Sequence, residues 1–254
     1  MRTGRRRWGL PFVLAAVAVV LGSCAGPGSP VATRRNPPPT TVPPTTVPPT
    51  TVPPTTVPLL SLGSAGPAVL ALQQRLTALH YWLGTPNGQF GDSTQQAVYA
   101  FQKVAGLTAD GVVGPATERA LVAGAEPRPL STGGAEIEVD LGLGVLMFVD
   151  GGRLQWALNT STGGGYAYVQ DGTTAVADTP TGRFQIFRQV DGMVVDSLGE
   201  LWRPKFFDAG FAIHGDSYVP PVPVSHGCVR VSDEAIDWIW SSDLAPIGTA
   251  VWIY

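Results

Sequence analysis

The sequence predicts a multidomain α+β protein in which a small three-helix domain precedes a β-rich domain. Three observations lead to this prediction. Residues 25–58 consist largely of proline and threonine and follow a hydrophobic N-terminus. Residues 60–124 carry apolar side chains at helical spacing, interrupted by glycine-containing turns. Residues 135–254 alternate short β-type runs with Gly and Asp-Gly turns.

The chain has 254 residues, of which 44% are hydrophobic and 14% charged, enough for one or two globular domains. Its net charge of −3 includes Arg2, Arg5, Arg6 and Arg7, which lie in a segment that we expect to be removed on maturation. Without these four arginines the net charge is about −7. Nucleic-acid binding requires a basic surface. We therefore expect no nucleic-acid partner, and we expect a monomer.

Residues 1–24 are organised like an export signal. A basic segment, MRTGRRRW, precedes an apolar run, LPFVLAAVAVVLG, that is short for a membrane-spanning helix. The run ends in Leu21-Gly22-Ser23-Cys24, which resembles the lipobox of bacterial lipoproteins, in which the cysteine is lipidated and becomes the new N-terminus. An uncleaved signal anchor is the alternative. Either way, we expect the rest of the chain to lie outside the cytoplasmic membrane and to be attached to it.

Residues 25–58 form a tether. The sequence PPTTV occurs four times in succession from Pro38 to Val57, and such a segment cannot form a core. Proline favours extended polyproline II, so the tract predicts a semi-rigid spacer on the order of 70 Å long. The chain has two cysteines. If Cys24 carries a lipid, Cys228 is a free thiol in an oxidising compartment.

The three-helix domain is predicted from one amphipathic run and two related motifs. Apolar residues from Val69 to Leu79 recur at helical spacing. The segments 87–101 and 110–124 then share the pattern N/D-G-x-x-G-x-x-T followed by a helical run. Glycine permits the tight turn, and the small polar or proline residues begin each helix.

The β-rich domain is predicted from several strand-like segments. Residues 136–163 indicate strands separated by turns, and GRFQIFRQV, FAIHG and TAVWIY add others. One helix is expected after Ser232, a good N-cap that is followed by Asp233 and Glu234 in the first turn. Residues 127–134 are expected to link this domain to the helical one.

The segment Ile213–Ser232 concentrates residues capable of chemistry. It holds His214, His226 and Cys228, which are two of the three histidines and the only cysteine after residue 24. Cysteine is a nucleophile only as thiolate, and a neighbouring histidine that takes its proton raises the thiolate fraction and later protonates a leaving amine. Gly227 gives a substrate close access and lets backbone amides point at an oxyanion. The pattern is typical of a cysteine acyltransferase.

Two other interpretations of the same residues remain open at this point. In the first, Cys228 is a buried structural residue and both histidines are satisfied core groups. In the second, His214, His226 and Cys228 are ligands of a catalytic zinc ion. The spacing of the three residues does not decide between these interpretations.

Two resemblances to known families favour the acyltransferase. From about residue 62 to residue 123, including FQKVAGLTADGVVGPAT, the sequence closely resembles a peptidoglycan-binding type 1 domain. The motifs TPTGRF (179–184) and HG…SHGCVR closely resemble those of the L,D-transpeptidase (YkuD-type) catalytic domain. The resemblance implies that this β-rich domain is catalytic and that the helical module binds the cell wall. We expect the two to be separable, so that deleting the module spares turnover of soluble stem peptides.

Carried over residue by residue, the resemblance assigns roles within the motif. It implies that Cys228 is the nucleophile and His214 the proton donor and acceptor. The supporting residues are those that orient the histidine, shape the nucleophile turn, supply oxyanion donors or orient the substrate: Gly215, Ser225, His226, Gly227 and Arg230. We expect the His226 ring to hold the turn through hydrogen bonds, with the Gly227 and Cys228 amides as oxyanion donors. The connection between His214 and Ser225 is short and rich in proline, which puts the family's substrate lid in doubt.

The resemblance also implies substrates and location. The donor is a peptidoglycan stem tetrapeptide, which loses D-alanine to form a thioester, and the acceptor is the side-chain amine of another stem. The product is a 3→3 cross-link, and no metal or organic cofactor is implied. The alternatives are an L,D-carboxypeptidase, in which water resolves the thioester, and a non-catalytic wall-binding protein. We expect a membrane-anchored enzyme of cell-wall biogenesis that faces the wall.

Overall fold

The computed structural model describes residues 59–170 and 172–254. The expected leader with Cys24 and the Pro/Thr tract lie outside these residues. Across the described ranges, no helix is long and apolar enough to cross a membrane. The predicted fold class is confirmed, because three helices precede a strand-rich region with a further helix near the C-terminus.

The helical domain contains three helices joined by tight turns: α1 Pro67–Ala78, α2 Asp92–Val104 and α3 Pro115–Ala123. A glycine precedes α2 and α3, as the turn-and-helix pattern predicted. A glycine also precedes α1, and α1 and α3 begin with proline. The inward faces bury Leu76, Tyr81 and Phe101 almost completely. Burial of these large apolar side chains is the main term that stabilises so small a domain.

The repeated motif has a structural reason that the sequence pattern did not reveal. In each repeat a buried glutamine from the preceding helix bonds the glycine turn. Gln73 accepts a hydrogen bond from the Gly88 amide at 2.8 Å and donates one to Thr94 Oγ1 at 2.9 Å. Gln102 accepts one from the Gly111 amide at 2.9 Å. Both glycines have φ near +75° or slightly below, a conformation that favours glycine. Each glutamine therefore supplies a hydrogen-bond partner to backbone amides of a buried turn, which would otherwise be unpaired.

The β-rich domain contains twelve strands in the described residues: β1 Glu136–Asp140, β2 Val145–Asp150, β3 Arg153–Asn159, β4 Ala167–Gln170, β5 Thr173–Val176, β6 Gly182–Gln185, β7 Arg188–Gln189, β8 Met193–Asp196, β9 Gly199–Asp208, β10 Phe211–Asp216, β11 Val229–Ser232 and β12 Ala250–Ile253. One sheet has the order β3-β2-β1-β12-β6. The other has the order β11-β10-β9-β7, with β8 also paired to β9. Strands β4 and β5 form a separate hairpin.

A common core joins the two sheets to the last helix, α4 Asp233–Ser241. Side chains from both sheets, among them Ile137 and Ile213, pack with Ile236 of α4. The predicted N-cap is confirmed, since Ser232 Oγ accepts a hydrogen bond from the Ala235 amide at 3.3 Å. This core fixes β10 and β11 side by side, and these strands carry the predicted catalytic segment.

The two domains share core and backbone contacts, which differs from the expectation that they are separable. Side chains of β2 and β3, including Val145 and Met147, belong to the same buried cluster as the helical domain. Tyr81 forms a β-bridge with Ala157, and the Trp82 amide donates to the Ala157 carbonyl at 3.1 Å. Deleting the helical domain would expose this surface and destabilise the catalytic domain. Point substitutions are therefore the better test of its role.

The link between the domains is also held in place. The Leu130 and Ser131 amides each donate a 2.9 Å hydrogen bond to the Glu138 carboxylate. Tyr254 Oη donates another to the same carboxylate at 2.9 Å. Burial acts to raise the pKa of Glu138, but these hydrogen bonds outweigh it and leave the pKa below its ordinary value. The carboxylate thus ties residues 130 and 131 to the sheet and to the C-terminus.

Candidate active site

A cavity of about 780 Å³ opens over β10 and the residues that precede β11. Six of the residues that the sequence singled out line it: His214, Gly215, Ser225, His226, Cys228 and Arg230. The hairpin β4–β5 and the turn between β8 and β9 form its other walls, through residues such as Tyr168, Gln170 and Asp196. Gln170 Nε2 donates to Ser197 Oγ at 3.0 Å and joins these two walls.

The sheet places His214 on β10 and Cys228 directly before β11, the parallel neighbour of β10. His214 is paired with Arg230 in the register of β10 and β11, and Cys228 immediately precedes β11. Side chains two residues apart along parallel strands point to the same face. The thiol and the imidazole accordingly line the same cavity. Cys228 Sγ lies 4.0 Å from the Gly210 carbonyl, and among the described residues no hydrogen bond joins it to His214. Such catalytic contacts are often long before substrate binds.

A backbone carbonyl fixes the tautomer of His214. The ring is buried, and its Nδ1 lies 2.7 Å from the Gly215 carbonyl oxygen, which can only accept a hydrogen bond. Nδ1 must therefore carry the proton, and Nε2 is left as the basic nitrogen. The prediction that the Gly215 carbonyl orients this ring is confirmed. A side chain at Gly215 would meet Ile236 Cγ2 at 2.6 Å, so glycine is needed for this close packing.

Burial favours the neutral forms of both groups. It lowers the pKa of His214 below the ordinary value of 6.5, and the hydrogen bond to Gly215 only partly opposes this effect. Burial also raises the pKa of the Cys228 thiol, against a hydrogen bond from the Ala212 amide. Both shifts therefore act against a thiolate–imidazolium pair in the resting site. We expect proton transfer from the thiol to His214 to accompany the attack.

A short hydrogen-bond network shapes the turn before Cys228. Ser225 Oγ donates to the Cys228 carbonyl at 2.6 Å and accepts from the Gly227 amide at 3.0 Å. Thr179 Oγ1 donates to the Gly227 carbonyl at 2.8 Å and accepts from the Gly163 amide at 2.9 Å. Thr179 was not among the predicted site residues. Its position at the start of the TPTGRF motif is the feature of the sequence that could have identified it.

The backbone conformation at position 227 requires glycine, and Gly227 is not among the residues that line the cavity. Its φ is +135°, and a side chain there would collide with the Phe211 ring and lie 2.6 Å from the Asp178 carbonyl oxygen. Because its amide already bonds Ser225 Oγ, Gly227 is not free to bind an oxyanion in this geometry. In the described part of the chain, no hydrogen bond engages the Cys228 amide. The Cys228 amide is therefore the better candidate donor of the two.

The two remaining predicted residues have different surroundings. The His226 ring packs edge-on against Tyr168 and Tyr166, with centroids 4.8 Å and 5.5 Å away. These aromatic contacts replace the hydrogen bonds that we expected, none of which occurs in residues 59–170 or 172–254. Arg230 Nε lies 3.2 Å from the carboxylate of Asp216, two residues after His214 on the same strand. The charge of Asp216 also acts to raise the pKa of His214, which moderates the effect of burial.

The zinc interpretation is not supported by the arrangement of the three side chains. His214, His226 and Cys228 share the cavity wall, but His226 faces the two tyrosines and His214 bonds the backbone. Throughout the described ranges, no group of three His, Cys, Asp or Glu side chains is placed to hold a metal ion. The arrangement instead suits a thiol and an imidazole acting as a pair.

Comparisons with known proteins define the class of protein. A family model described as a putative peptidoglycan binding domain matches residues 65–121. Another, for the L,D-transpeptidase catalytic domain (YkuD), matches residues 134–253. The chain thus combines a putative peptidoglycan binding domain with an L,D-transpeptidase catalytic domain.

The similarity to one solved structure covers most of the described chain. The L,D-transpeptidase (residues 123–326) from Xylanimonas cellulosilytica is 50% identical, with a TM-score of 0.74. The match covers 77% of this chain and 97% of that one. This chain belongs to the L,D-transpeptidase family.

Curated relatives match over shorter stretches. N-acetylmuramoyl-L-alanine amidase CwlL of Bacillus licheniformis is 41% identical over 90 residues, and the zinc D-Ala-D-Ala carboxypeptidase of Streptomyces albus G is 48% identical over 63. These matches cover 34% and 23% of this chain, and 25% and 24% of the relatives. The chain thus spans about a quarter of the length of either relative.

Proposed function

We propose that this L,D-transpeptidase cross-links peptidoglycan by cysteine acyl transfer, with Cys228 as nucleophile and His214 as proton shuttle. The observation that carries the proposal is the placement of these two side chains on one face of adjacent strands in a cavity of about 780 Å³. The neutral Nε2 of His214 supports it further, because only an unprotonated nitrogen can accept the thiol proton. The donor is a stem tetrapeptide and the acceptor a stem-peptide amine.

The chemistry balances without a cofactor. The thiol proton moves to His214 Nε2 as Sγ attacks the carbonyl carbon that precedes the terminal D-alanine. The Cys228 amide donates to the developing oxyanion. The C–N bond breaks, His214 returns its proton to the departing amine, and a thioester remains. The acceptor amine then attacks, gives a proton to His214 and forms the new amide, and that proton restores the thiol. A 3→3 cross-link results when the amine belongs to a third stem residue.

Two other outcomes stay open as alternatives at the same site. If water resolves the thioester, the enzyme acts as an L,D-carboxypeptidase and releases D-alanine without joining stems. If no thioester forms, the protein binds the wall without catalysis. The partly buried thiol and the imidazole, which line the same cavity, favour catalysis. Transfer is favoured over hydrolysis because an amine is a better nucleophile than water.

Mass spectrometry of stem-peptide products tests this proposal. Detergent-solubilised full chain incubated with purified tetrapeptide should release D-alanine and form a peptide dimer with one amide joining two third residues. Cys228→Ala is the matched control and should form neither product. Release of D-alanine with no dimer would establish the carboxypeptidase instead. Absence of both products in the wild type would leave only the wall-binding function.

We also propose that the enzyme is a lipoprotein held at the outer face of the cytoplasmic membrane and directed at the wall. The sequence Leu21-Gly22-Ser23-Cys24 and the following tether support this. The Cys24→Ala variant should accumulate as an uncleaved precursor that lacks the mass of a lipid, when whole-protein mass is measured from the membrane fraction. Normal processing of this variant would reject the lipoprotein proposal and favour the signal anchor.

A further inference from the structure

The connection that carries the nucleophile is held by the peptidoglycan-binding domain. Residues 217–228 join β10 to β11 without a helix or strand of their own. Gln96 of α2 donates from Nε2 to the Val219 carbonyl in this connection at 3.0 Å. Asn159, at the end of β3, donates to the same carbonyl at 3.3 Å and to Gln96 Oε1 at 2.6 Å. A side chain of one domain thus bonds the catalytic loop of the other.

Lys103 of the same helix holds Asn159 from its other side. It lies seven residues, or two helical turns, after Gln96 and so shares the same helix face. Its Nζ donates to Asn159 Oδ1 at 2.6 Å, to the Gly144 carbonyl at 2.9 Å and to the Thr160 carbonyl at 3.1 Å. An ammonium has three N–H groups, and all three have an acceptor here. Burial lowers the pKa of Lys103 to about 8, which shows how far this amine is removed from water.

From Asn159 the contacts continue to the nucleophile turn. Ser161 Oγ donates to the Val222 carbonyl at 2.8 Å and accepts from the Val224 amide at 3.1 Å. The Ser225 amide donates to the Thr162 carbonyl at 2.9 Å. Residues 159–164 therefore form a polar strap that contacts the catalytic connection between residues 219 and 225. Ser225, which this strap contacts, bonds the Cys228 carbonyl directly.

We propose that Gln96 and Lys103 of the peptidoglycan-binding domain are positioning residues for catalysis, which hold the Ser225–Cys228 turn through Asn159 and the strap. Neither residue lines the catalytic cavity. The proposal rests on the proposed use of Cys228 as nucleophile. It gives the wall-binding domain a second role, since helix α2 serves as part of the scaffold of the active site. Displacements of about 1 Å at a reacting group can cost up to about 10²-fold in rate.

The test compares two variants of α2 with a matched control. Gln96→Glu retains an acceptor for Asn159 but cannot donate to the Val219 carbonyl, and Lys103→Met leaves three acceptors without a donor. Gln74→Ala is the control, because Gln74 is an exposed glutamine of α1 in the same domain. Each full-length variant is assayed for acylation by the stem tetrapeptide. The measured kcat is divided by the number of thiols that react with a maleimide in the folded protein, which corrects for inactive molecules. Binding to insoluble peptidoglycan is measured by sedimentation.

Both α2 variants should lose about 10- to 100-fold in kcat per titrated thiol, with KM and wall binding nearly unchanged. Lys103→Arg should restore part of the loss, because it keeps the charge and several donors. Gln74→Ala should match the wild type. Unchanged kcat per titrated thiol in both α2 variants would overturn the proposal, even if both melt at lower temperature. If Lys103→Met does not fold, Gln96→Glu alone decides, because it removes one hydrogen bond from a partly exposed residue.

A second measurement separates this proposal from the proposed function. The rate at which iodoacetamide alkylates Cys228 depends on the setting of the thiol and needs no peptide substrate. The rate and its pH profile should change in Gln96→Glu and stay as in the wild type in Gln74→Ala. If the wild type processes no stem peptide, the proposed function fails, whereas the alkylation profile still shows whether α2 positions the thiol. An identical profile in all three proteins would overturn the positioning role.

Discussion

The Cys228→Ser variant is expected to lose acyl transfer by up to about 10⁶-fold, the order of magnitude found when a catalytic nucleophile is removed. The substitution replaces the thiol by a hydroxyl of similar size. A serine hydroxyl is a far weaker acid and nucleophile, and here it would have only a neutral imidazole to help it. The partly buried site should accommodate serine without loss of folding.

A covalent probe measures this result directly. A carbapenem carries a strained β-lactam ring that acts as an acyl donor. The mass of the wild-type protein should therefore increase by the full mass of the carbapenem, bound to one residue. The adduct should map to Cys228, be absent in Cys228→Ser and persist when a chelator is present. An adduct that needs added zinc, or that survives in Cys228→Ser, would contradict the thiol mechanism and revive the metal interpretation.

The His214→Ala variant is expected to lose about 10²- to 10⁴-fold in the rate of acylation, because it removes a positioned acid–base group. The pH dependence should reveal the reason. In the proposed mechanism the neutral ring is the active form, and burial lowers its pKa, so the wild-type rate should fall only as the pH drops through a value below 6.5. This acid limb should disappear in His214→Ala. The remaining rate should rise at alkaline pH, where the thiol with its raised pKa ionises unaided.

His226→Ala is the matched control for that experiment. Its ring contacts Tyr166 and Tyr168 and supplies no recorded hydrogen bond among the described residues, so we expect a smaller loss and an intact acid limb. Acylation of each variant is followed across pH at saturating donor. If the acid limb vanishes in His226→Ala and survives in His214→Ala, the roles of the two histidines are reversed.

Local patterns predicted the helices and strand β10, but not strands β4 and β8, which help to line the cavity. The glycine and threonine motifs placed α2 and α3, and the Ser232 cap placed the start of α4, because these signals depend on residues within one turn. The sequence did not predict β9, the longest strand, which spans ten residues. Pro204 lies within it and Arg203 has φ of +49°, so its pattern is not typical of a strand. Pairing with β8 and β10 stabilises it nonetheless.

The sequence by itself identified His214 and Cys228 as a candidate pair, and the resemblance of its TPTGRF and HG…SHGCVR motifs to known motifs indicated the family. Tertiary structure decided how they work. Burial shifts the pKa values of His214 and Cys228 towards their neutral forms, and burial depends on packing between distant segments. The contacts of Gln96 and Thr179 likewise join residues far apart in the chain. No local pattern encodes such contacts, since they exist only once both sheets and helix α2 have assembled around the cavity.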